Sequence, residues 1–260
     1  MLAAFQKGQT MKIVVIGGTG LIGTRVVARL ERRGLEVVAA ARSTGVDLLT
    51  GMGLDQALHG ADVVIDTSNS GYFEPAEMQH FFEAAGANLF AAERQALVPH
   101  HIALSAVGTD QLDSGYFKAK RVQEDQVIAS HIPFTIVRAT PFFEYLYDVV
   151  DQGGDGDTLR LPPVLIQPIA ADDVASALVQ SALAGPSNNI VEVAGPDTFS
   201  LPALAEEILT ANEDCRTVIA DPDALYFGAH MAGASLTGGE HPRFAPTSFD
   251  DWLRHSLLPA

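Results

Sequence analysis

The sequence predicts an α/β fold built on a doubly wound parallel sheet, and three observations predict it. Short apolar runs recur along the first half of the 260-residue chain, each of strand length and suited to burial on both faces. Segments with apolar residues at three- and four-residue spacing separate those runs. A glycine-rich turn follows the first run directly. Strands alternating with helical segments specify right-handed βαβ units, and therefore a parallel sheet.

The elements follow in order. Lys12-Ile-Val-Val-Ile16 is the first strand, and Leu21, Ile22, Val26, Val27 and Leu30 mark one face of the first helix. Gly34 closes that helix as a left-handed C-terminal residue, and a second strand spans 36–41. Further strands read at 61–66, 101–105 and 134–138, with helices at 75–97 and 115–130. After Arg138 the texture changes. Gly153-Gly154-Asp155-Gly156-Asp157 and Leu161-Pro162-Pro163 are turn signals. A helix at 170–183, a short strand at 190–194 and a helix at 200–211 follow, the last with Ser200 as its N-cap. Residues 221–246, rich in Gly, Pro, Ala and His, resist assignment. The expected organisation is an N-terminal extension (1–10), a dinucleotide-binding core (11–150) and a small substrate-side region (151–260) interleaved with the last sheet elements.

Composition bounds the function. Apolar residues make up 47% and charged residues 18%, against about 25% charged in an average protein, so the chain has the apolar surface to offset ordering entropy. Sixteen Lys plus Arg against 32 Asp plus Glu give a net charge of −16, which repels a phosphate backbone and argues against nucleic-acid binding. The single cysteine, Cys215, forms no intrachain disulfide, lacks the spaced partners of a zinc site, and is read as buried or inert. No apolar run approaches the ~20 residues needed to span a bilayer. Residues 1–10 are too short and polar for a signal peptide. The expectation is a cytoplasmic protein with a small-molecule substrate and no nucleic-acid or membrane partner. No sequence patch identifies an oligomer interface.

The turn Gly17-Gly18-Thr19-Gly20-Leu21-Ile22-Gly23 contains Gly-x-x-Gly-x-x-Gly between strand and helix. Missing side chains let a pyrophosphate approach backbone N–H groups at a helix N-terminus, and the third glycine permits close helix packing. This places Gly17, Thr19, Gly20, Leu21, Ile22 and Gly23 at a dinucleotide. An acidic residue at the end of the second strand would bond a ribose diol, whereas a cation would accept a 2′-phosphate. The strand ends Ala39-Ala40-Ala41, followed by Arg42 and Ser43. Arginine offers a fork of donors and serine a hydroxyl, so NADP(H) is preferred over NAD(H).

Ile16 to Gly23, Arg42-Ser43, Leu104-Ser105-Ala106-Val107-Gly108, Tyr116 to Glu124 and Arg138-Ala139-Thr140-Pro141-Phe142-Phe143 together resemble the atypical short-chain dehydrogenase/reductases. The resemblance is to the NmrA-like, NAD(P)-binding, epimerase-like members. Ile169-Ala-Ala-Asp172-Asp173-Val174-Ala175 resembles their segment returning to the sheet, and the likeness spans nearly all of 11–258. It implies a Rossmann fold with the nicotinamide over the C-terminal strand ends. It further implies Asp47 and Leu48 beside the adenine, Thr67 and Ser68 along the cofactor, and Thr140, Pro141 and Phe142 at its far end.

Tyr116 and Lys120, four apart on a helix, share a face. A nearby ammonium favours phenolate over a free phenol of pKa about 10. Ser105 ends the preceding strand and could hydrogen-bond a substrate carbonyl. Ser105, Tyr116 and Lys120 thus form the arrangement short-chain reductases use, with tyrosine supplying the proton and Lys120 also holding the nicotinamide ribose. Asp66-Thr67-Ser68-Asn69-Ser70 departs from the Asn-Asn-Ala-Gly pattern of the better-characterised reductases. Phe142, Phe143 and Tyr145 suit an apolar wall or ordinary core packing, and Tyr226, Phe227, His230 and Met231 a cap over the same cleft. Adjacent His100-His101 lacks ligand spacing, so no metal is expected. Asp172-Asp173 reads as helix N-terminal charge and capping. With no Gly-x-Ser-x-Gly elbow, acyl hydrolysis is set aside. Three functions fit: an NADPH-dependent reductase of a small carbonyl or quinone-like substrate, a non-catalytic NADP(H) sensor, or a sugar-nucleotide epimerase-like enzyme.

Overall fold

The computed structural model describes residues 10–71, 74–231 and 236–256. The N-terminal extension, apart from Thr10, lies outside them. The first half of the chain alternates β1 (Lys12–Ile16), α1 (Leu21–Glu31), β2 (Glu36–Ala40), α2 (Leu54–Leu58), β3 (Val63–Asp66), α3 (Pro75–Ala96), β4 (His101–Ala106), α4 (Gly115–Ala129) and β5 (Phe134–Ala139). The second half adds α5 (Leu146–Gln152), β6 (Gly154–Asp155), β7 (Thr158–Leu161), β8 (Leu165–Ile166), α6 (Ala171–Ala184), β9 (Asn189–Ala194), β10 (Phe199–Ser200) and α7 (Leu201–Ala211). It closes with β11 (Thr217–Ala220), β12 (Leu225–Tyr226), β13 (Ala229–His230), β14 (Arg243–Phe244) and α8 (Phe249–Ser256).

Seven strands form one parallel sheet in the order β14-β9-β5-β4-β3-β1-β2. This is the Rossmann-type fold the apolar runs predict. Strand β1 shows why: Ile13, Val14 and Val15 are fully buried. Alternate residues point to opposite faces of a strand. Ile13 and Val15 pack with α1 and α6, while Val14 and Ile16 pack with α2 and α3. Burying each such side chain contributes about 1.5–3 kcal/mol. The chain leaves β1 for β2 on one side and returns to β3 on the other, so the strand order reverses beside β1. A crevice opens there beyond the strands' C-terminal ends.

A second apolar cluster, including Phe143, Leu161, Leu204 and Phe249, is built mainly from residues after β5. Strands β9 and β14 carry the main sheet past β5. Residues 221–246, which show no strand pattern, contain β12, β13 and β14, each only two residues long and therefore without a readable period.

The structure qualifies three local expectations. Ser200 is the N-cap of α7, as expected, but its side chain makes no capping bond; its backbone pairs with Leu165 in the β10–β8 ribbon. Cys215 is exposed rather than buried, because it sits in the turn between α7 and β11. Asp172 and Asp173 occupy the first turn of α6, but the Glu144 carboxylate accepts the Ala171 N–H at 3.0 Å. Asp172 instead pairs with Arg25 and Arg29 of α1, at 3.4 and 3.3 Å. Among the described residues, no helix is long and apolar enough to cross a membrane.

Candidate active site

The glycine turn divides its work. Gly17 has φ +71°, a conformation costly for other residues, and its N–H donates to the Ala40 carbonyl at 2.9 Å. A Cβ on Gly23 would lie 2.1 Å from the Gly17 carbonyl oxygen, so this glycine lets α1 press onto the turn. Gly20 differs: its Cβ would meet only the Gly17 oxygen, at 3.3 Å. It is the N-cap of α1, which has no side-chain cap and no acidic residue in its first turn. The positive end of α1 is thus left open to an anion. These residues fit the pyrophosphate of a dinucleotide.

From this turn a single cleft of about 780 Å³ runs across the C-terminal strand ends, within the usual range of ligand pockets. Gly17, Thr19, Gly20, Leu21, Ile22, Arg42, Ser43, Asp47, Leu48, Thr67 and Ser68 line it, followed by Ser105, Tyr116, Lys120, Thr140, Pro141 and Phe142. Gly23, expected at the cofactor, is buried against Gly17 and does not line the cleft; its close packing keeps it away. Arg42 opens a single 3₁₀ turn after β2 and is exposed. Ser43 Oγ lies 3.4 Å from Thr19 Oγ1, which ties the two loops at this end.

The face of α4 that carries Tyr116 and Lys120 also carries two polar residues that sequence reading missed, Gln123 and Glu124. Lys120 is buried, and its ammonium donates to the Leu104 carbonyl at 2.8 Å and to Gln123 Oε1 at 2.5 Å. Gln123 Nε2 donates in turn to Asp66 Oδ2 at 2.9 Å. An ammonium has three donors; these bonds take two, and the nitrogen lies 4.8 Å from the centroid of the Phe82 ring. Burial pushes the Lys120 pKa down to about 8, against the opposing pull of Asp66 and Glu124. Tyr116 is half-buried and packs edge-on against Phe117, with centroids 5.5 Å apart.

The Lys120 shift has a consequence for stability. Below about pH 8 the lysine is charged in folded and unfolded chains alike, and the burial penalty is fully present. From about 8 to 10.5 the folded chain releases the proton first, so stability rises with pH. We expect the unfolding free energy of wild type, minus that of Lys120→Met, to rise by about 3 kcal/mol over this window. Urea titrations at several pH values would measure it, and a flat difference would refute the shift.

Ser105 lies at the cleft but its hydroxyl is already engaged. It donates to Glu124 Oε1 at 2.5 Å, and an ionised carboxylate can only accept. Arg138 Nε and Nη2 donate to the two Glu124 oxygens at 2.9 and 2.7 Å. Arg138 Nη1 reaches Asp110 at 2.9 Å. The expected donation from Ser105 to a substrate carbonyl therefore requires this bond to break.

The expected aromatic wall separates into two parts. Phe142 and Tyr145 line the cleft, stacked with centroids 5.8 Å apart, whereas Phe143 is buried against Phe249 and Trp252. Of the expected cap, Tyr226 and Phe227 line the cleft; His230 and Met231 do not. His101 pairs with Glu93 at 2.9 Å and His100 with Thr135 at 3.1 Å, at the opposite end of the sheet. Among the described residues, no group of three or more His, Cys, Asp or Glu is placed to hold a metal.

Residues 13–103 match the NAD dependent epimerase/dehydratase family. A chloroplastic divinyl chlorophyllide a 8-vinyl-reductase of Cucumis sativus is 27% identical over 239 residues, covering 76% of this chain and 56% of that protein. The photosystem II assembly factor Ycf39 of Trieres chinensis is 26% identical over 153 residues, covering 53% and 48%. The chain thus spans about half the length of these curated relatives. Among solved structures, Bordetella bronchiseptica WbmG in complex with NAD superposes with a TM-score of 0.72 at 14% identity, covering 96% of this chain and 94% of that one. The matched family segment ends within β4, before Tyr116 and Lys120.

Proposed function

We propose that this chain is an NADP(H)-dependent oxidoreductase of the atypical, NmrA-like short-chain type that acts in the cytoplasm on a small carbonyl or quinone-like substrate. Residues 11–150 would hold the cofactor and residues 151–260 would contribute the substrate side. One observation carries the reading: the cleft is continuous from the uncapped α1 terminus and Arg42 to Tyr116 and Lys120. Arg42 would donate to the 2′-phosphate, and the N–H groups of the glycine turn would donate to the pyrophosphate. When bound, the nicotinamide would supply the hydride for a carbonyl carbon. Tyr116 gives its phenolic proton to the carbonyl oxygen as the C=O π bond becomes an alcohol, and solvent returns the proton. Lys120 favours the intervening phenolate through its charge.

Tyr116→Phe is expected to lower turnover about 10²–10⁴-fold, the usual contribution of a positioned proton donor, with NADPH affinity unchanged. Turnover at the wild-type rate would remove Tyr116 from the chemistry. Equilibrium titrations at matched salt should show NADPH preferred over NADH by tenfold or more, about 1.4 kcal/mol, and Arg42→Ala should abolish that preference. Preference for NADH would overturn the Arg42 assignment.

A non-catalytic NADP(H)-binding role is the second reading. It is favoured by the engagement of Ser105 with Glu124 and by the similarity to a protein named as an assembly factor. Tight NADPH binding, no oxidation across a carbonyl screen, and a cofactor-dependent change in assembly would select it.

A further inference from the structure

The end of the cleft away from the glycine turn has a chemical character of its own. Along residues 16–70 the lining includes no aromatic side chain, whereas beyond them it includes Phe81, Tyr116, Phe142, Tyr145, Tyr226 and Phe227. Two of these pairs have fixed relative geometry. Phe142 and Tyr145 stack at an interplanar angle of 25°, and Tyr226 meets Phe227 edge-on at 87° with centroids 4.8 Å apart. Flat apolar walls of this kind favour flat apolar guests, because ring stacking adds to area burial.

The charges point the same way. Among the described residues, Arg42 and Lys120 are the only cationic side chains that line the cleft. Arg42 stands at the glycine-turn end. Lys120 is buried with two donors turned inward to Leu104 and Gln123. Burial, with the nearby charges of Asp148 and Glu144, holds the Tyr145 phenol protonated to a higher pH than usual. Apart from Lys120, a diphosphate brought there would meet no guanidinium or ammonium among the lining residues.

We propose that this end of the cleft takes an uncharged, planar aromatic carbonyl compound of the quinone class and rejects nucleotide sugars. The inference rests on the NADP(H) reading above, and it sets this chain's substrate end apart from sugar-nucleotide chemistry. Recognition is by ring stacking on Phe142 and Tyr145 and by exclusion of anionic groups.

The test uses the whole protein saturated with NADP⁺, whose own binding is measured first by calorimetry. Titration with 1,4-naphthoquinone and with UDP-glucose then compares the two classes without turnover. Naphthoquinone should bind at least tenfold more tightly than UDP-glucose. Tyr145→Ala should weaken naphthoquinone several-fold while leaving the NADP⁺ dissociation constant unchanged. The wild-type ratio stands as a test even if that variant fails to fold. Equal or tighter binding of UDP-glucose, or no binding of naphthoquinone to the NADP⁺ complex, overturns this inference alone. Failure to bind NADP⁺ overturns the parent reading, and this one falls with it.

Discussion

Glu124→Ala is expected to destabilise the protein by about 3–5 kcal/mol, the usual cost of removing one partner of a buried ion pair. Glu124 is 4% exposed and Arg138 7%. The carboxylate takes two hydrogen bonds from the guanidinium and one from Ser105. Truncation leaves Arg138 with Asp110 as its remaining ionic partner, which is itself half-exposed, and leaves the Ser105 hydroxyl without its acceptor. The loss is mainly the desolvation cost of groups left unpaired, not the value of the pair itself. Removing both charges in Glu124→Leu/Arg138→Met should therefore recover most of the stability. Urea denaturation of wild type, the single variant and the double variant decides it. If the single variant lies within 1 kcal/mol of wild type, the network is not stabilising. A double variant no better than the single one would mean that packing, rather than unpaired charge, sets the loss.

This network also shows where sequence reading stopped. The sheet was legible because its strands are buried on both faces: Lys12 to Ile16 is an unbroken apolar run after its first residue, and the crossover helices repeat at helical spacing. The glycine turn was legible because its spacing, the preceding strand and the following helix agree. The polar interior was not. Gln123 and Glu124 lie three and four residues after Lys120, so helical spacing places all three on one flank of α4. In sequence, however, polar residues on a helix read as its wet side. Only the partners Asp66, Ser105 and Arg138, from three different strands, turn that flank inward, and pairings across 14 to 57 positions leave no local pattern. The short strands after Leu225 were illegible for the opposite reason. Two residues are too few to show alternation, and β14 is fixed only by pairing with β9.

The sharpest separation of fold from cofactor binding comes from two glycines three residues apart. Gly23→Ala puts a methyl group 2.1 Å from the Gly17 carbonyl oxygen and 2.7 Å from the Gly18 Cα. Both obstacles are backbone, so α1 must move off the turn. The expected result is a loss of stability of about 1–3 kcal/mol, the usual cost of overpacking, together with loss of NADPH binding. Gly20→Ala meets only the Gly17 oxygen, at 3.3 Å, and Gly20 has φ −82°, a value open to alanine. Its melting temperature should stay within a few degrees of wild type. Its methyl group, however, projects where a pyrophosphate would approach the α1 terminus, so NADPH affinity should fall at least tenfold, about 1.4 kcal/mol. Thermal unfolding and NADPH titration on the same samples separate the effects. If Gly20→Ala binds NADPH as wild type does, the phosphates do not lie on this turn, even though the fold would be intact. If it unfolds as readily as Gly23→Ala, both glycines serve packing, and the uncapped end of α1 loses its claim to the anion.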